Sequence, residues 1–99
     1  MLYAFICEDV ADSTEKRKQI RPQHLARLTA LLDQGRLVLA GPFPAIDSPD
    51  PGSAGFTGSL IVAEFPSLTE ARSWADAEPF LKSGIYKNIV IKPFRQTLP

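Results

Sequence analysis

Ile20-Arg21-Pro22-Gln23-His24-Leu25-Ala26-Arg27-Leu28-Thr29-Ala30-Leu31-Leu32 carries the clearest helical period in the chain and its one histidine. At about 100° per residue, Ile20, His24, Leu28 and Leu31 fall on one stripe, which Leu25 and Leu32 widen on one side. Ala26, Thr29 and Ala30 lie away from it. His24 therefore sits where a leucine would be the default. An imidazole aimed at a core is costly to desolvate unless a polar group meets it.

Working outward, Pro22 lacks an N–H and suits a first helical turn, so the main helix is expected over residues 22–34, with Gly35 as its stop. A short helical piece is expected before Pro22 and a break or kink near it, and residues 15–18, Glu-Lys-Arg-Lys, read as a charged, solvated turn. Upstream, Leu2-Tyr3-Ala4-Phe5-Ile6-Cys7-Glu8 is short, apolar and aromatic, a strand buried on both faces over most of its length. Downstream, residues 37–40 form a second strand. Residues 41–58 hold 4 of the 9 prolines and 4 of the 6 glycines, which argues for a long irregular loop rather than a helix or central strand. Loops of that length in small domains are usually functional or mobile, and Phe43, Ile46 and Phe56 would anchor this one over a pocket.

A third strand follows over residues 60–65. Ser67-Leu68-Thr69-Glu70 fits a capping box and opens a second helix, with Leu68, Ala71, Trp74 and Ala75 on one face. Glu78-Pro79 ends it, residues 80–84 connect, and residues 85–92 make a fourth strand before a tail. The order β-α-β-β-α-β is that of a ferredoxin-like α+β fold: a four-stranded antiparallel sheet with both helices on one face. Strands that are apolar at nearly every position ask for cover on the second face too, which a second copy would supply by isologous packing.

The 99 residues make a single domain spanning residues 1–99. Eleven basic and eleven acidic side chains balance to zero, so no basic excess points to nucleic acid and no basic run to a membrane surface. Zero net charge also offers little repulsion between copies. No apolar run approaches the roughly 20 residues of a membrane span, and the N-terminus lacks a basic leader pattern, so a cytoplasmic protein is expected. The lone Cys7 cannot form an intramolecular disulfide and reads as a small buried residue.

Glu15-Lys16-Arg17, residues 21–28 from Arg21 to Leu28, Gly35-Arg36-Leu37, Ala40-Gly41-Pro42, Asp47, Gly55-Phe56-Thr57-Gly58-Ser59, Trp74-Ala75, Gly84-Ile85-Tyr86 and Lys92-Pro93-Phe94 keep the order and spacing of one family. Over essentially its whole length the chain resembles the YciI-like proteins, the YCII-related domain family. That resemblance implies a dimeric α+β barrel, hence a homodimer or a higher oligomer built from it, and a catalytic histidine–aspartate pair like that of small dimeric-barrel isomerases and dehydrochlorinases. The histidine maps to His24. The acid maps to the residue before the proline that follows the second helix, Glu78, where the family usually has aspartate; Asp76 is a rival out of register with that pattern.

A carboxylate on one imidazole nitrogen fixes the tautomer and raises the basicity of the other, as general-base catalysis requires. A bland alternative is a core histidine with a local hydrogen bond and a Glu78 that only stops a helix. Asp9, at the end of the first strand, is a substrate-binding candidate or a turn-former. Arg21 could bind an anionic substrate or simply be solvated. Ser59 could offer a hydroxyl to a ligand or make a strand-start hydrogen bond, and it lacks the nucleophile-elbow pattern. One histidine, one cysteine and scattered acids give no metal-ligand spacing, and the glycines lack a phosphate-loop pattern, so neither a metal nor another cofactor is expected. Two function classes follow: a cofactor-independent enzyme moving a proton on a small-molecule ligand, as isomerase or lyase, or a non-catalytic dimeric barrel serving as a binding or interaction module.

Overall fold

The computed structural model describes residues 1–99. Its elements run β1 (Leu2–Asp9), α1 (Thr14–Asp33), β2 (Leu37–Pro44), a 3-10 turn (Gly52–Ala54), β3 (Phe56–Glu64), α2 (Leu68–Asp76), α3 (Pro79–Lys82) and β4 (Tyr86–Phe94). The strands form one antiparallel sheet in the order β2-β3-β1-β4, the ferredoxin-like arrangement with a third, single-turn helix added after α2.

The first helix does not break at Pro22. α1 is continuous for 20 residues with the proline inside it, although the ring forfeits the hydrogen bond to the carbonyl four residues earlier. What holds the leading turns in line is Arg17. It lies two turns before His24 on the same stripe, and both are buried. The apolar stripe is narrower than its sequence suggests, because Leu25 and Leu32 are exposed while Leu28 and Leu31 enter the core. At the other end Gly35 takes φ 70°, and its N–H and that of Arg36 bond the carbonyls of Leu32 and Leu31, both at 2.9 Å. That is the Schellman stop, and the left-handed φ is why glycine stands there. Ser67 caps α2 with half of the expected box, its Oγ accepting the Glu70 N–H at 3.2 Å.

Much of the expected loop is strand. Residues 41–44 extend β2 and residues 56–58 extend β3, leaving residues 45–55 as the connection. Pro42 and Pro44 are compatible with β2 because it is an edge strand, where a missing N–H faces solvent. Pro93 enters β4, the other edge, for the same reason. Of the three expected loop anchors only Phe56 faces inward; Phe43 and Ile46 are exposed.

Cross-strand register assigns the faces. Tyr3 opposite Ala63, Phe5 opposite Ile61 and Cys7 opposite Ser59 point at the helices, where they meet Leu28, Leu31, Ala71, Ala75 and Phe80. Phe5 lies edge-on to Phe65 and Trp74, at centroid distances of 5.5 and 5.3 Å. The opposite face carries Ala4 opposite Val62, with Leu39, Ile6, Val90 and Phe94 beside them. Within one chain β1 is thus buried on one face only, and Ile6, Leu39, Val90 and Phe94 remain exposed.

Gly58 sits on β3 where β1 passes closest. A Cβ there would lie 2.0 Å from the Cys7 carbonyl oxygen, a backbone atom with nowhere to go. Gly58→Ala should therefore destabilise the fold by about 1–3 kcal/mol or more, as overpacking does. Urea unfolding followed by circular dichroism checks it, and a midpoint equal to wild type contradicts the close approach.

Candidate functional site

His24 and Glu78 reach each other from separate helices. His24 projects from the middle of α1, and Glu78 caps α3, its backbone extended at φ −65°, ψ 126° before Pro79 starts the turn. Glu78 Oε1 accepts the Phe80 N–H at 3.3 Å and lies 2.5 Å from His24 Nδ1. Since a carboxylate only accepts, Nδ1 carries the hydrogen, and in the neutral ring Nε2 is left with its lone pair. The ring stacks on Phe80 with centroids 4.1 Å apart and planes 12° from parallel, and Tyr86 meets it edge-on.

Glu78 is 1% exposed, so its charge needs more than an imidazole N–H. Arg27 supplies the rest. Its guanidinium donates to Glu78 Oε2 at 2.9 Å and to the Trp74 carbonyl at 2.8 Å, and lies over the Trp74 ring at 4.4 Å. The pair read from the sequence is thus a His24–Glu78–Arg27 triad. Arg27 lies one turn from His24 on the same helix, and nothing in its sequence spacing marks it. Asp76 is exposed at the end of α2 and takes no part.

A second polar cluster lies beside the first. Asp9 and Arg17 form a bidentate pair, Nε to Oδ2 at 2.7 Å and Nη2 to Oδ1 at 3.1 Å, and Ser13 Oγ donates to Oδ2 at 2.6 Å. Arg17 Nη2 also reaches the Gly58 carbonyl at 2.9 Å and Ser59 Oγ at 3.0 Å. Tyr86 donates its phenol hydrogen to Ser59 Oγ at 2.7 Å. Arg17 is therefore neither solvated nor in a turn. Its charged neighbours Glu15, Lys16 and Lys18 are exposed, whereas Arg17 is turned inward by Asp9. Burial, with the neighbouring Cys7 next, pushes the Tyr86 phenol up. Burial above all pushes the Cys7 thiol up to about 12, so Cys7 is a core group rather than a nucleophile.

A cavity of about 840 Å³ opens between α1, the start of β3 and residues 50–53 of the connection. His24, Arg17, Ser59, Phe80 and Phe56 line it, and Arg21 stands exposed at its edge. Asp9 does not line it; its carboxylate is occupied by Arg17 and Ser13. Glu78 lies behind His24, away from the cavity. His24 Nε2 has no partner in the protein and is not sealed from solvent, so it opens to this space. Nowhere do three His, Cys, Asp or Glu side chains gather as they would around a metal ion.

A family model described as "YCII-related domain" matches residues 1–95. The chain belongs to the YCII-related domain family. Over 96 residues it is 56% identical to Protein YciI of Escherichia coli O6:H1, covering 97% of this chain and 98% of that one. It is 44% identical, over the same shares, to an uncharacterized protein of Haemophilus influenzae. Among solved structures it is similar to the 5-chloro-2-hydroxyhydroquinone dehydrochlorinase of Burkholderia phenoliruptrix in complex with 2,5-dihydroxybenzoquinone. The TM-score is 0.83 at 24% identity, with 96% of this chain and 94% of that one covered, a likeness of fold. No helix of this YCII-family chain is long and apolar enough to cross a membrane.

The tautomer is directly measurable. At a pH where the ring is neutral, long-range ¹⁵N–¹H spectra should show His24 protonated at Nδ1 and bare at Nε2, the less common form. Glu78→Ala should relax that preference toward Nε2–H; a wild-type ring protonated at Nε2 contradicts the geometry.

Proposed function

We propose that this protein is a cofactor-independent enzyme that moves a proton on a small molecule, with His24 as general base. The observation that carries the reading is one buried imidazole with Nδ1 tied to Glu78 and Nε2 open to a cavity large enough for a substituted ring or lactone. In this reading Nε2 takes a proton from substrate carbon or oxygen, and Glu78 compensates the imidazolium that forms. The electron pair of the broken bond enters the substrate. Returning the proton to another atom completes an isomerisation; departure of a halide completes an elimination. Arg21 at the rim and Ser59 on the wall are the substrate-binding groups. Asp9 serves at one remove, by holding Arg17. Glu78 stands where the family resemblance implies aspartate, and from the α3 N-cap its carboxylate reaches the ring.

The dehydrochlorinase of similar fold suggests the first panel: hydroxylated and chlorinated hydroquinones, with lactones beside them. Turnover followed by absorbance or chloride release should fall by about 10²–10⁴-fold in His24→Asn, and by a smaller factor in Glu78→Gln. Turnover that is equal in wild type and His24→Asn would dismiss the general base.

The exposed sheet face is assigned, on the same footing, to a second copy of the chain. Leu39, Ile6, Val90 and Phe94 form a patch that an isolated chain leaves in water, and self-complementary packing of two sheets covers it. Sedimentation equilibrium at micromolar concentration should give twice the 10.9 kDa chain mass, and Ile6→Asp should shift the mass toward one chain. A wild-type monomer at that concentration rules the dimer out.

A further inference from the structure

The cavity is larger than a single ring needs. Its volume of about 840 Å³ lies near the top of the roughly 300–1,000 Å³ range of small-molecule sites. α1 lines it from Thr14 to Leu28, a run of roughly 21 Å at about 1.5 Å per residue. The lining is sorted along that length. Apart from His24, every charged or hydroxyl-bearing side chain in it belongs to residues 14–21 of α1, to residues 50–53 or to Ser59. Past His24 the walls are Leu25 and Leu28 from α1, Ala40 from β2 and Ile61 from β3. Ala40 and Ile61 are cross-strand partners, so their side chains lie together on the face turned toward the helices.

The change of character falls within one helical face. Lys18, Arg21, Leu25 and Leu28 follow one another at three- and four-residue steps, so the face is charged for two turns and then apolar. Leu25 follows His24 directly and Leu28 stands one turn beyond it, which starts the apolar walls at the imidazole. Leu28 and Ile61 are buried, while Leu25 and Ala40 are exposed. This end of the trough therefore has an apolar floor and a mouth at the β2 edge. Water there meets no side-chain donor or acceptor, and hydrocarbon that displaces such water gains free energy.

We propose that Leu25, Leu28, Ala40 and Ile61 form a subsite for a hydrocarbon arm, so that the substrate is an elongated amphipathic molecule. A reactive ring sits at His24, and an alkyl substituent runs from it toward the β2 edge. The placing of the ring rests on the general-base reading; the subsite for the arm does not. Ala40 is the specificity-determining position. Its methyl leaves the end of the trough open, and a larger side chain there closes it without touching His24 or Glu78.

Calorimetric binding of γ-lactones whose side chain grows from methyl to hexyl tests the subsite without turnover. Affinity should rise about two- to fourfold per added methylene and level off once the chain passes Leu25 and Ala40 into solvent. Ala40→Phe, which places a good strand former on an exposed edge strand, should abolish that rise and bind the methyl member, γ-valerolactone, as wild type does. Leu25→Ser should flatten the rise, and His24→Asn should keep it. In wild type the hexyl member, γ-decalactone, should shift the methyl resonances of Leu25, Leu28 and Ile61 and leave those of Leu39 and Val90, on the opposite face of the sheet, in place. Should Ala40→Phe fail to fold, Leu25→Ser and those shifts decide the matter. Affinity indifferent to chain length, no binding of γ-decalactone at millimolar concentration, a rise that survives in folded Ala40→Phe, or shifts confined to Leu39 and Val90 overturn the subsite. A rise that needs Ala40, in a protein whose His24→Asn variant retains full turnover of the hydroquinone and lactone panel, supports the subsite and dismisses the base.

Discussion

The buried carboxylate of Glu78 organises the helical layer. Taking that charge out of water is expensive unless every lone pair direction is met. Here His24 and Arg27 approach from α1 and the Phe80 N–H from its own turn. Through the first two of those bonds α1 is joined to α3, and through Arg27 and the Trp74 carbonyl also to α2. The same atoms that orient the imidazole therefore fix how three helices sit on the sheet. Stability and site geometry are not separable in this part of the molecule.

A second charge pair does the corresponding work at the other end of α1. Asp9 at the last position of β1 draws Arg17 inward, and Arg17 in turn ties the helix to the β3 backbone at Gly58. The helix is thus pinned at two points on one stripe, with Pro22 between them. A proline that would bend a helix with free ends is carried by one whose ends are both fastened.

The element order, the Ser67 cap of α2, the glycine stop and the unusual place of His24 were all legible in the sequence because each is a local pattern. Three things were not. Arg17 was masked by Glu15, Lys16 and Lys18, although stepping back seven residues from His24 lands on it. That spacing was the available signal. Arg27 lies between alanines and leucines on a mixed face, and only the tertiary position of Glu78 gives it a role. The strand extensions over residues 41–44 and 56–58 were hidden by prolines and glycines, whose meaning depends on whether a strand lies at an edge or in the middle of the sheet, a property of topology rather than composition. Gly58 on the inner strand is there for want of space, since β1 leaves no room for a side chain.

The prolines of the two outer strands reach beyond local geometry. Pro42 and Pro44 on one flank and Pro93 on the other withhold N–H groups that an added strand would need. A chain with an exposed apolar sheet face would otherwise be a template for growth by strand addition, the route to fibrils. With both flanks stopped, adhesion is confined to the face, where the proposed second copy would end growth. The molecule can keep a sticky surface in water because its sheet cannot be extended.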